Sequence, residues 1–245
     1  MRTAILSDIH SNLEALTACI KHAERHQVER FVTLGDYIGY GPDPCRTLDQ
    51  VAALPGLLAV RGNHDDAITK AMSSGVSQGI RDAGEWTQQQ LQERHLEFIN
   101  KLPYLIEDPC GVFVHATAVA EADWTYIRMD DQALACMEAS PGQLTFIGHV
   151  HVPMVFYETP NGTVRDLRPH PRMPIPITGQ GRYVINVGSV GQPRDFNNAA
   201  CYVIYDDELS QITFYRVPYD FFLTAEKIRS AKLDPFFAER LTAGR

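Results

Sequence analysis

Five clusters of metal-binding or proton-transferring residues each directly follow a short apolar stretch of this sequence. They are Asp8-Ile9-His10, Gly35-Asp36, Gly62-Asn63-His64-Asp65, His115 and Gly148-His149-Val150-His151. The apolar stretches have the length and composition of buried β-strands. In an open α/β sheet, ligands bind at the carboxyl ends of the strands. The sequence therefore predicts that these five clusters converge in space, although they span most of the chain.

The N-terminal region predicts alternating strands and helices. Strands are predicted at residues 4–6, 31–34 and 57–60, a helix of about four turns after residue 11, and a short helix at 42–53. Ser11 and Glu14 have the spacing of a capping box. Leu13, Leu16 and Ile20 follow at helical spacing. This order implies a parallel sheet with right-handed crossovers.

The rest of the chain predicts one more helical stretch and a region rich in strands. Residues 73–101 are rich in Gln and Glu, and we interpret them either as a helical insertion or as a helix that covers the sheet. Asn161-Gly162 is a strong hairpin turn signal. Strands are predicted at 112–114, 145–147, 154–159, 163–168, 183–187, 201–205 and 212–217. The proline-rich residues 169–176 predict a surface loop, and residues 221–232 a closing helix.

Composition limits the class of protein. With 245 residues, a single domain spanning residues 1–245 is expected. The net charge of −8 argues against a general affinity for nucleic acid or an anionic membrane. The five cysteines are scattered without a Cys-x-x-Cys pair, which indicates neither a disulfide framework nor a thiolate zinc site. Because no signal peptide or membrane span is predicted, we expect a cytoplasmic protein.

The ligand types favour a divalent metal site. Carboxylate, imidazole and amide side chains without thiolate suit Mn, Fe, Zn, Ni or Co better than a structural zinc site. In Asp8-x-His10 and His149-x-His151, alternate residues of an extended segment point the same way and can bind one ion. Taken singly, Asp36 could be a turn or helix-cap residue and His115 a buried core histidine. The joint occurrence of all five clusters after five strands favours the metal site.

The order of these clusters resembles that of the calcineurin-like metallophosphoesterase superfamily. Three stretches are similar to its small bacterial and archaeal phosphodiesterase-like branch: residues 7–12 (Ser-Asp-Ile-His-Ser-Asn), 35–42 (Gly-Asp-Tyr-Ile-Gly-Tyr-Gly-Pro) and 186–194 (Asn-Val-Gly-Ser-Val-Gly-Gln-Pro-Arg). The resemblance covers roughly residues 2–215. It implies an α/β fold with four layers, in which two mixed β-sheets pack face to face with helices outside.

The resemblance also implies roles for individual residues. Asp8, His10 and His151 would bind a first metal, Asn63, His115 and His149 a second, and Asp36 would bridge both. The two divalent ions would most readily be Mn, with Fe, Zn, Ni or Co as alternatives. A hydroxide bridging the ions would attack the phosphorus of a phosphodiester or phosphomonoester. His64 would donate a proton to the leaving oxygen or stabilise charge, and Asp65 would orient His64 or a metal ligand.

One departure from the superfamily bears on the substrate. Its serine/threonine protein phosphatases carry an arginine after the second cluster, and residues 37–41 contain none. Arg194 is the best candidate for a phosphate contact in its place, although a surface pair with Asp195 is equally compatible with the sequence. We expect a pocket for a small phosphate ester shaped by Tyr37, Tyr40, Arg194 and residues 73–101. The alternative is that the tyrosines pack in the core.

Several functions stay open at this level. The same metal core serves phosphodiesters, nucleotide phosphomonoesters, dinucleoside polyphosphates and phosphoproteins. A non-catalytic scaffold of this fold, acting as a protein-interaction module, is the rival from another class. The complete ligand set and the presence of His64 favour the enzyme. The oligomeric state is not predicted.

Overall fold

The computed structural model describes residues 1–70, 77–179 and 181–245. Its strands are β1 (Arg2–Leu6), β2 (Arg30–Thr33), β3 (Leu58–Ala59), β4 (Leu105–Asp108), β5 (Gly111–Val114), β6 (Leu144–Ile147), β7 (Met154–Glu158), β8 (Val164–Leu167), β9 (Pro174–Pro176), β10 (Tyr183–Asn186), β11 (Ala200–Asp206) and β12 (Gln211–Val217). Its helices are α1 (Leu13–Arg25), α2 (Pro44–Ala52), α3 (Asn63–Thr69), α4 (Gln78–Gln90), α5 (Glu93–Lys101), α6 (Asp130–Ala139), α7 (Phe221–Ser230) and α8 (Pro235–Ala243).

The strands form two mixed sheets of six strands each. The first has the order β3-β2-β1-β11-β12-β9 and the second the order β4-β5-β6-β10-β7-β8. In the first sheet, β1 runs parallel to β2 and antiparallel to β11. In the second, β10 runs parallel to β6 and antiparallel to β7. The predicted α/β class with two mixed sheets is confirmed.

Strand alternation explains the layered core. Successive side chains of a strand point to opposite faces. In β1, Ile5 packs in a cluster that joins both sheets and includes Phe113 and Phe146. Its neighbours Ala4 and Leu6 pack instead in the cluster formed with α1 and α2. Burying each large apolar side chain stabilises the fold by roughly 1.5–3 kcal/mol. Both faces of β1 are therefore covered, as expected for a strand without a polar face.

Two local predictions are wrong. The N-cap of α1 is Asn12, whose Oδ1 accepts from the Ala15 amide at 3.1 Å, so Ser11 and Glu14 form no capping box. Ser11 has left-handed backbone, and Glu14 instead pairs with Lys227. Residues 169–176 are not simply a loop, because Pro174–Pro176 forms β9 at the edge of the first sheet. An edge strand tolerates proline since its outer side needs no amide donor.

The stretch at 73–101 contains two helices with different surroundings. Its first residues, 73–76, lie outside the described part of the chain. Ile99 of α5 is buried in the cluster of the first sheet, so α5 covers that sheet. Ala83 of α4 instead packs with α7 and α8. Helices α3, α6 and α8 and strand β4 were not predicted. No described helix has the length and apolar character needed to span a bilayer.

Candidate metal centre

Both sheets contribute residues to one site at the carboxyl ends of their strands. The segments after β1, β2 and β3 carry Asp8 and His10, Asp36, and Asn63 and His64. The segments after β5 and β6 carry His115, His149 and His151. Backbone hydrogen bonds join these segments: the His10 amide donates to the Asp36 carbonyl at 2.9 Å and the Gly148 amide to the His115 carbonyl at 2.8 Å. The predicted convergence of the five clusters is confirmed.

The backbone of this site is strained. Five of the seven predicted ligands have left-handed backbone with φ between 48° and 66°: Asp8, His10, Asp36, His149 and His151. Non-glycine residues in this region cost about 1–3 kcal/mol each and persist where the surrounding structure enforces them. Such residues cluster at functional sites, which is where the sequence pattern places these five.

The first ligand group brings together Asp8, His10, Asp36 and His151. One ligand atom from each lies within 4.8 Å of the others, and all four side chains are buried. The Nε2 atoms of His10 and His151 are 3.2 Å apart. Asp8 Oδ1 lies 3.1 Å from the His151 Nε2 atom. This matches the first metal group implied by the resemblance, with Asp36 included.

The second ligand group brings together Asp36, His115 and His149, again within 4.8 Å. His115 Nε2 lies 3.1 Å from His149 Nδ1, 3.4 Å from Asp36 Oδ2 and 3.0 Å from Asn63 Oδ1. Asp36 therefore belongs to both groups, as a bridging ligand must. All seven predicted ligands converge at one site.

The hydrogen bonds of the imidazoles test whether these groups fit a cation. In His10 and His151, Nδ1 donates to the carbonyls of Ile38 and Gln192, at 3.0 and 2.6 Å. A neutral ring that donates from Nδ1 keeps a lone pair on Nε2. Two lone pairs thus face each other at 3.2 Å, and the buried Asp8 Oδ1 has no hydrogen-bond donor among the described residues. A cation between these atoms satisfies all three acceptors, so the first group fits a divalent metal.

The electrostatics of the site agree with this reading. Burial would raise the pKa of Asp36, but the imidazoles of His115 and His64 outweigh it and hold the pKa well below its usual range. Burial lowers the pKa of His149 to about 3 and lowers that of His10 well below its usual value. Burial would also lower the pKa of His115, yet the Asp36 carboxylate raises it to about 9.

A family model described as the calcineurin-like phosphoesterase superfamily domain matches residues 1–208. The chain belongs to this superfamily. It is 34% identical over 249 residues to an uncharacterized protein of Methanocaldococcus jannaschii, covering 99% of this chain and 98% of that protein. The chain is also similar to a metallophosphoesterase from Sphaerobacter thermophilus with a known crystal structure. The two sequences are 35% identical, the TM-score is 0.89, and the match covers 100% of this chain and 99% of the other. A hypothetical protein from Pyrococcus horikoshii OT3, at 20% identity and a TM-score of 0.79 over 100% and 98% of the two chains, shares the fold.

Two glycines allow the ligand-bearing segments of this chain to approach closely. A Cβ at Gly62 would lie 2.2 Å from Asp36 Oδ1, and one at Gly148 would lie 2.5 Å from Asp8 Oδ2. Real Cβ atoms essentially never come within 3.0 Å of another residue's heavy atoms. The glycines before Asn63 and His149 are therefore needed so that each ligand segment can reach a carboxylate of the site.

His64 and Asp65 occupy different positions. The His64 ring lies against the rings of His10 and Tyr40, at centroid distances of 4.9 and 4.5 Å, and His64 lines the cavity beside the ligands. Asp65 is fully buried and accepts from the backbone amides of Asp36, Tyr37 and Gly62 at 2.7, 3.0 and 2.9 Å. Asp65 thus orients the segment that carries Asp36. Burial and the Asp36 charge raise the pKa of Asp65 to about 7, against the effect of these donors.

A cavity of about 380 Å³ opens at the ligand groups. Tyr40, Arg194 and the α4 residues Ile80, Ala83 and Gly84 line it, together with Trp124 and Tyr126. Tyr37 does not: it is 0% exposed, and its hydroxyl donates to the Val60 carbonyl at 2.8 Å. The prediction that Tyr37 shapes the pocket is therefore wrong, because the left-handed backbone of Asp36 (φ of 54°) turns the next ring into the core. Tyr40 lines the cavity as predicted, whereas of the predicted segment 73–101 only Ile80, Ala83 and Gly84 line it among the described residues.

Sequence reasoning missed the segment between β5 and α6. The Trp124 carbonyl accepts from His149 Nε2 at 2.9 Å, which turns His149 Nδ1 toward the site. The Tyr126 ring stacks on the His149 ring with centroids 4.2 Å apart and planes 9° from parallel. The sequence signal that could have indicated this segment is the pair of aromatic residues, Trp124 and Tyr126, that follows His115. Ser189, in the quoted stretch 186–194, also contributes, since its hydroxyl donates to the Asp8 carbonyl at 2.8 Å.

Proposed function

We propose that this protein is a hydrolase that binds two divalent metal ions and cleaves a small phosphate ester. The observation that supports it is the pair of ligand groups that share Asp36, with His64 beside them in the cavity. Structural metal sites are closed by their ligands, whereas catalytic sites keep an open position. The ligand His149, the shared Asp36 and His64 all line the cavity, so a substrate can reach the centre.

Metal ions at this site would provide hydroxide at neutral pH and positive charge for the phosphoryl oxygens. The residues of the chain do the rest. Asp8, His10 and His151 would hold one ion, Asn63, His115 and His149 the other, and Asp36 would contribute to both. His64 donates a hydrogen bond or a proton to the leaving oxygen. Arg194 offers a planar fork of donors for two phosphoryl oxygens, which lysine would match poorly.

The shape of the cavity supports a small substrate. Its volume of about 380 Å³ lies within the range of roughly 300–1,000 Å³ that is usual for small-molecule sites. Aromatic and apolar side chains form much of its wall, from Tyr40 and Trp124 to Ile80 of α4. We infer an ester whose leaving group has an apolar or planar part. Manganese is the metal we propose first, and Fe, Zn, Ni or Co suit the same set of carboxylate, imidazole and amide ligands.

The test combines metal analysis with a panel of esters. Purified protein reconstituted with Mn, Fe, Zn, Ni or Co should contain two ions per chain and hydrolyse p-nitrophenyl phosphate or bis(p-nitrophenyl) phosphate. A strong chelator should abolish the activity, and added metal should restore it. Protein with no bound metal under all five conditions, or activity indifferent to the chelator, would refute the proposal.

A His64→Ala variant tests the assignment of chemistry within the site. We expect turnover to fall by about 10²–10⁴-fold, as for loss of a general acid, with the metal content unchanged. His64 contributes no side-chain atom to either ligand group, so metal should stay. The matched control is His170→Ala, a histidine between β8 and β9 and outside the cavity lining. Loss of metal from His64→Ala would contradict the separation of roles.

A further inference from the structure

The C-terminal helices α7 and α8 follow the matched region 1–208 and yet contact three loops of the site. From α7, the Thr224 hydroxyl donates to Asn12 Oδ1 at 3.2 Å, just after His10. Lys227, also on α7, donates to Asp43 Oδ2 at 2.8 Å, just after the loop that carries Tyr40. Helix α7 thus fixes two of the loops that deliver ligands and cavity residues.

Helix α8 reaches the third loop through its C-terminal cap. Gly244 has left-handed backbone with φ of 64°, and its carbonyl accepts from the Phe196 amide at 2.7 Å. A Cβ at Gly244 would lie 2.7 Å from the Asn197 nitrogen, so only glycine allows this approach. Phe196 lies two residues after Arg194. The end of α8 is therefore anchored to the loop that carries the only arginine in the described lining of the cavity.

Helix α8 also packs against the ring of Tyr40. Phe237 of α8 is buried, and its ring centroid lies 5.0 Å from that of Tyr40. The Tyr40 ring in turn contacts the His64 ring at 4.5 Å and lies under the Arg194 guanidinium at 5.8 Å. With Phe237, His64 and Arg194 all against its ring, Tyr40 is a platform and not a free stacking surface. A shift of Phe237 would therefore move the supports of both His64 and Arg194.

Arg194 is held in a way that leaves donors for a ligand. Its Nη2 donates to Gln192 Oε1 at 3.0 Å, and its amide to the His151 carbonyl at 3.2 Å. Its Nε is buried and has no hydrogen-bond partner in the described part of the chain. Asp195, the acid next to it, pairs with Arg216 instead. Within the described ranges no carboxylate forms an ion pair with Arg194, so its positive charge is left to attract an anion in the cavity that it lines.

We propose that α8 is a positioning element for phosphate binding, in which Phe237 holds the Tyr40 platform and Gly244 holds the Arg194 loop. This inference rests on the proposed function. A free arginine side chain loses rotamer freedom, and therefore entropy, when a ligand fixes it. A guanidinium already stacked on Tyr40 and bonded to Gln192 has lost most of that freedom before phosphate arrives. Helix α8 thus acts on affinity for the phosphoryl group without touching it.

A double-mutant cycle tests this coupling. The variants are Phe237→Leu, which keeps an apolar side chain in the α8 core, Arg194→Gln, and both together. Phe237→Met is a second choice if the leucine variant folds poorly. Calorimetric binding of inorganic phosphate to the Mn-loaded protein is the main measurement, with KM and kcat for p-nitrophenyl phosphate beside it. Metal content is measured in every variant. Phe222→Ala on α7 is the control, since Phe222 is 69% exposed.

In otherwise wild-type protein, Phe237→Leu should weaken phosphate binding by about 3–10-fold, the scale of one lost aromatic pair, and raise KM more than it lowers kcat. In the Arg194→Gln background the loss should be clearly smaller, because the part of the effect that passes through the Tyr40 ring to Arg194 is already gone. Equal losses in both backgrounds, loss of metal from Phe237→Leu, or unchanged phosphate binding would overturn the inference. If no ester is hydrolysed yet the coupling in phosphate binding persists, the proposed function fails and the positioning role stands.

Discussion

The two halves of the candidate metal centre share Asp36 and each contributes two imidazoles, but they differ in their remaining ligand, in exposure and in the residues that support them. The first half, Asp8 with His10 and His151, is fully buried and has a carboxylate of its own. The second half, Asn63 with His115 and His149, has a neutral amide instead, and its Asn63 is partly exposed beside the cavity. The ring of His149 is fixed by Trp124 and Tyr126, from a segment outside both sheets.

The difference in ligands predicts which half binds a divalent cation more tightly. Ligand charge raises the affinity of a site for a divalent cation, and the first half offers two carboxylates where the second offers one. Its facing imidazole lone pairs and the Asp8 oxygen without a donor are acceptors that a cation between them satisfies. We therefore infer that an ion enters the first half before the second, and that the second half is the side open to substrate.

The largest effect is expected when the shared ligand is removed. Asp36→Asn should lose both ions and reduce hydrolysis to the level of chelated protein, since Asp36 Oδ2 approaches ligand atoms of both halves, at 3.7 Å from His10 Nε2 and 3.4 Å from His115 Nε2. Metal analysis after extensive dialysis measures this directly. If one ion stays at full occupancy, Asp36 is not a ligand shared by the two halves.

A pair of variants, one from each half, tests the order of binding. Asn63→Ala should retain the tighter of two manganese equivalents with little change and lose the weaker one. His151→Ala should lose the tighter equivalent and leave Asp8 as a buried carboxylate without its imidazole partner. Stepwise manganese titration, followed by electron paramagnetic resonance of the free ion, separates the two equivalents. If Asn63→Ala removed the tighter equivalent, the second half would be the stronger site.

Supports outside the ligand sets should give a smaller effect confined to one half. Removing an outer partner of a metal ligand typically costs about 10–100-fold in affinity or activity. Tyr126→Ala, which removes the ring stacked on His149, should weaken only the second manganese equivalent. Ser189→Ala, which removes the donor to the Asp8 carbonyl, should weaken only the first. Equal weakening of both equivalents by either variant would show that the halves are not independent.

The ligands were predictable because each follows an apolar strand, and strand ends are where an α/β sheet gathers its polar residues. The strands were predictable from apolar runs such as 183–187. The roles of Trp124 and Tyr126 were not predictable. Trp124 contacts His149 through its backbone carbonyl and Tyr126 through the face of its ring, and neither contact follows from the spacing of residues in the sequence. Helix α6 was missed because only Ala133, Cys136 and Met137 of its ten residues are buried, which leaves a weak apolar pattern.

Tyr37 shows most clearly that the direction of a side chain can be hard to predict from the sequence. Its position directly after Asp36 suggested a cavity residue, but the direction of a side chain next to a strained residue depends on φ and ψ values that the sequence does not reveal. Asp36 has φ of 54°. That backbone turns the Asp36 carboxylate to the metal ligands while the next ring enters the core. For the same reason Tyr40, also left-handed at φ of 60°, was predicted at the cavity without its role as a platform.

The smallest predicted effect follows from this correction. The Tyr37 hydroxyl donates to the Val60 carbonyl at 2.8 Å and lies 2.9 Å from the Thr33 hydroxyl, both in the core below the shared ligand. Tyr37→Phe leaves the Val60 acceptor without that donor, and one unmet buried partner costs about 1–2 kcal/mol. For a chain of this size that lowers the melting temperature by roughly 2–8 °C. Because the change removes only a hydroxyl in the core and keeps the Tyr37 backbone, whose carbonyl accepts from the Ser11 amide at 2.8 Å, both manganese equivalents and the KM for p-nitrophenyl phosphate should stay at wild-type values. A raised KM with unchanged melting temperature would return Tyr37 to the substrate pocket, and selective weakening of one equivalent would tie it to one half of the centre.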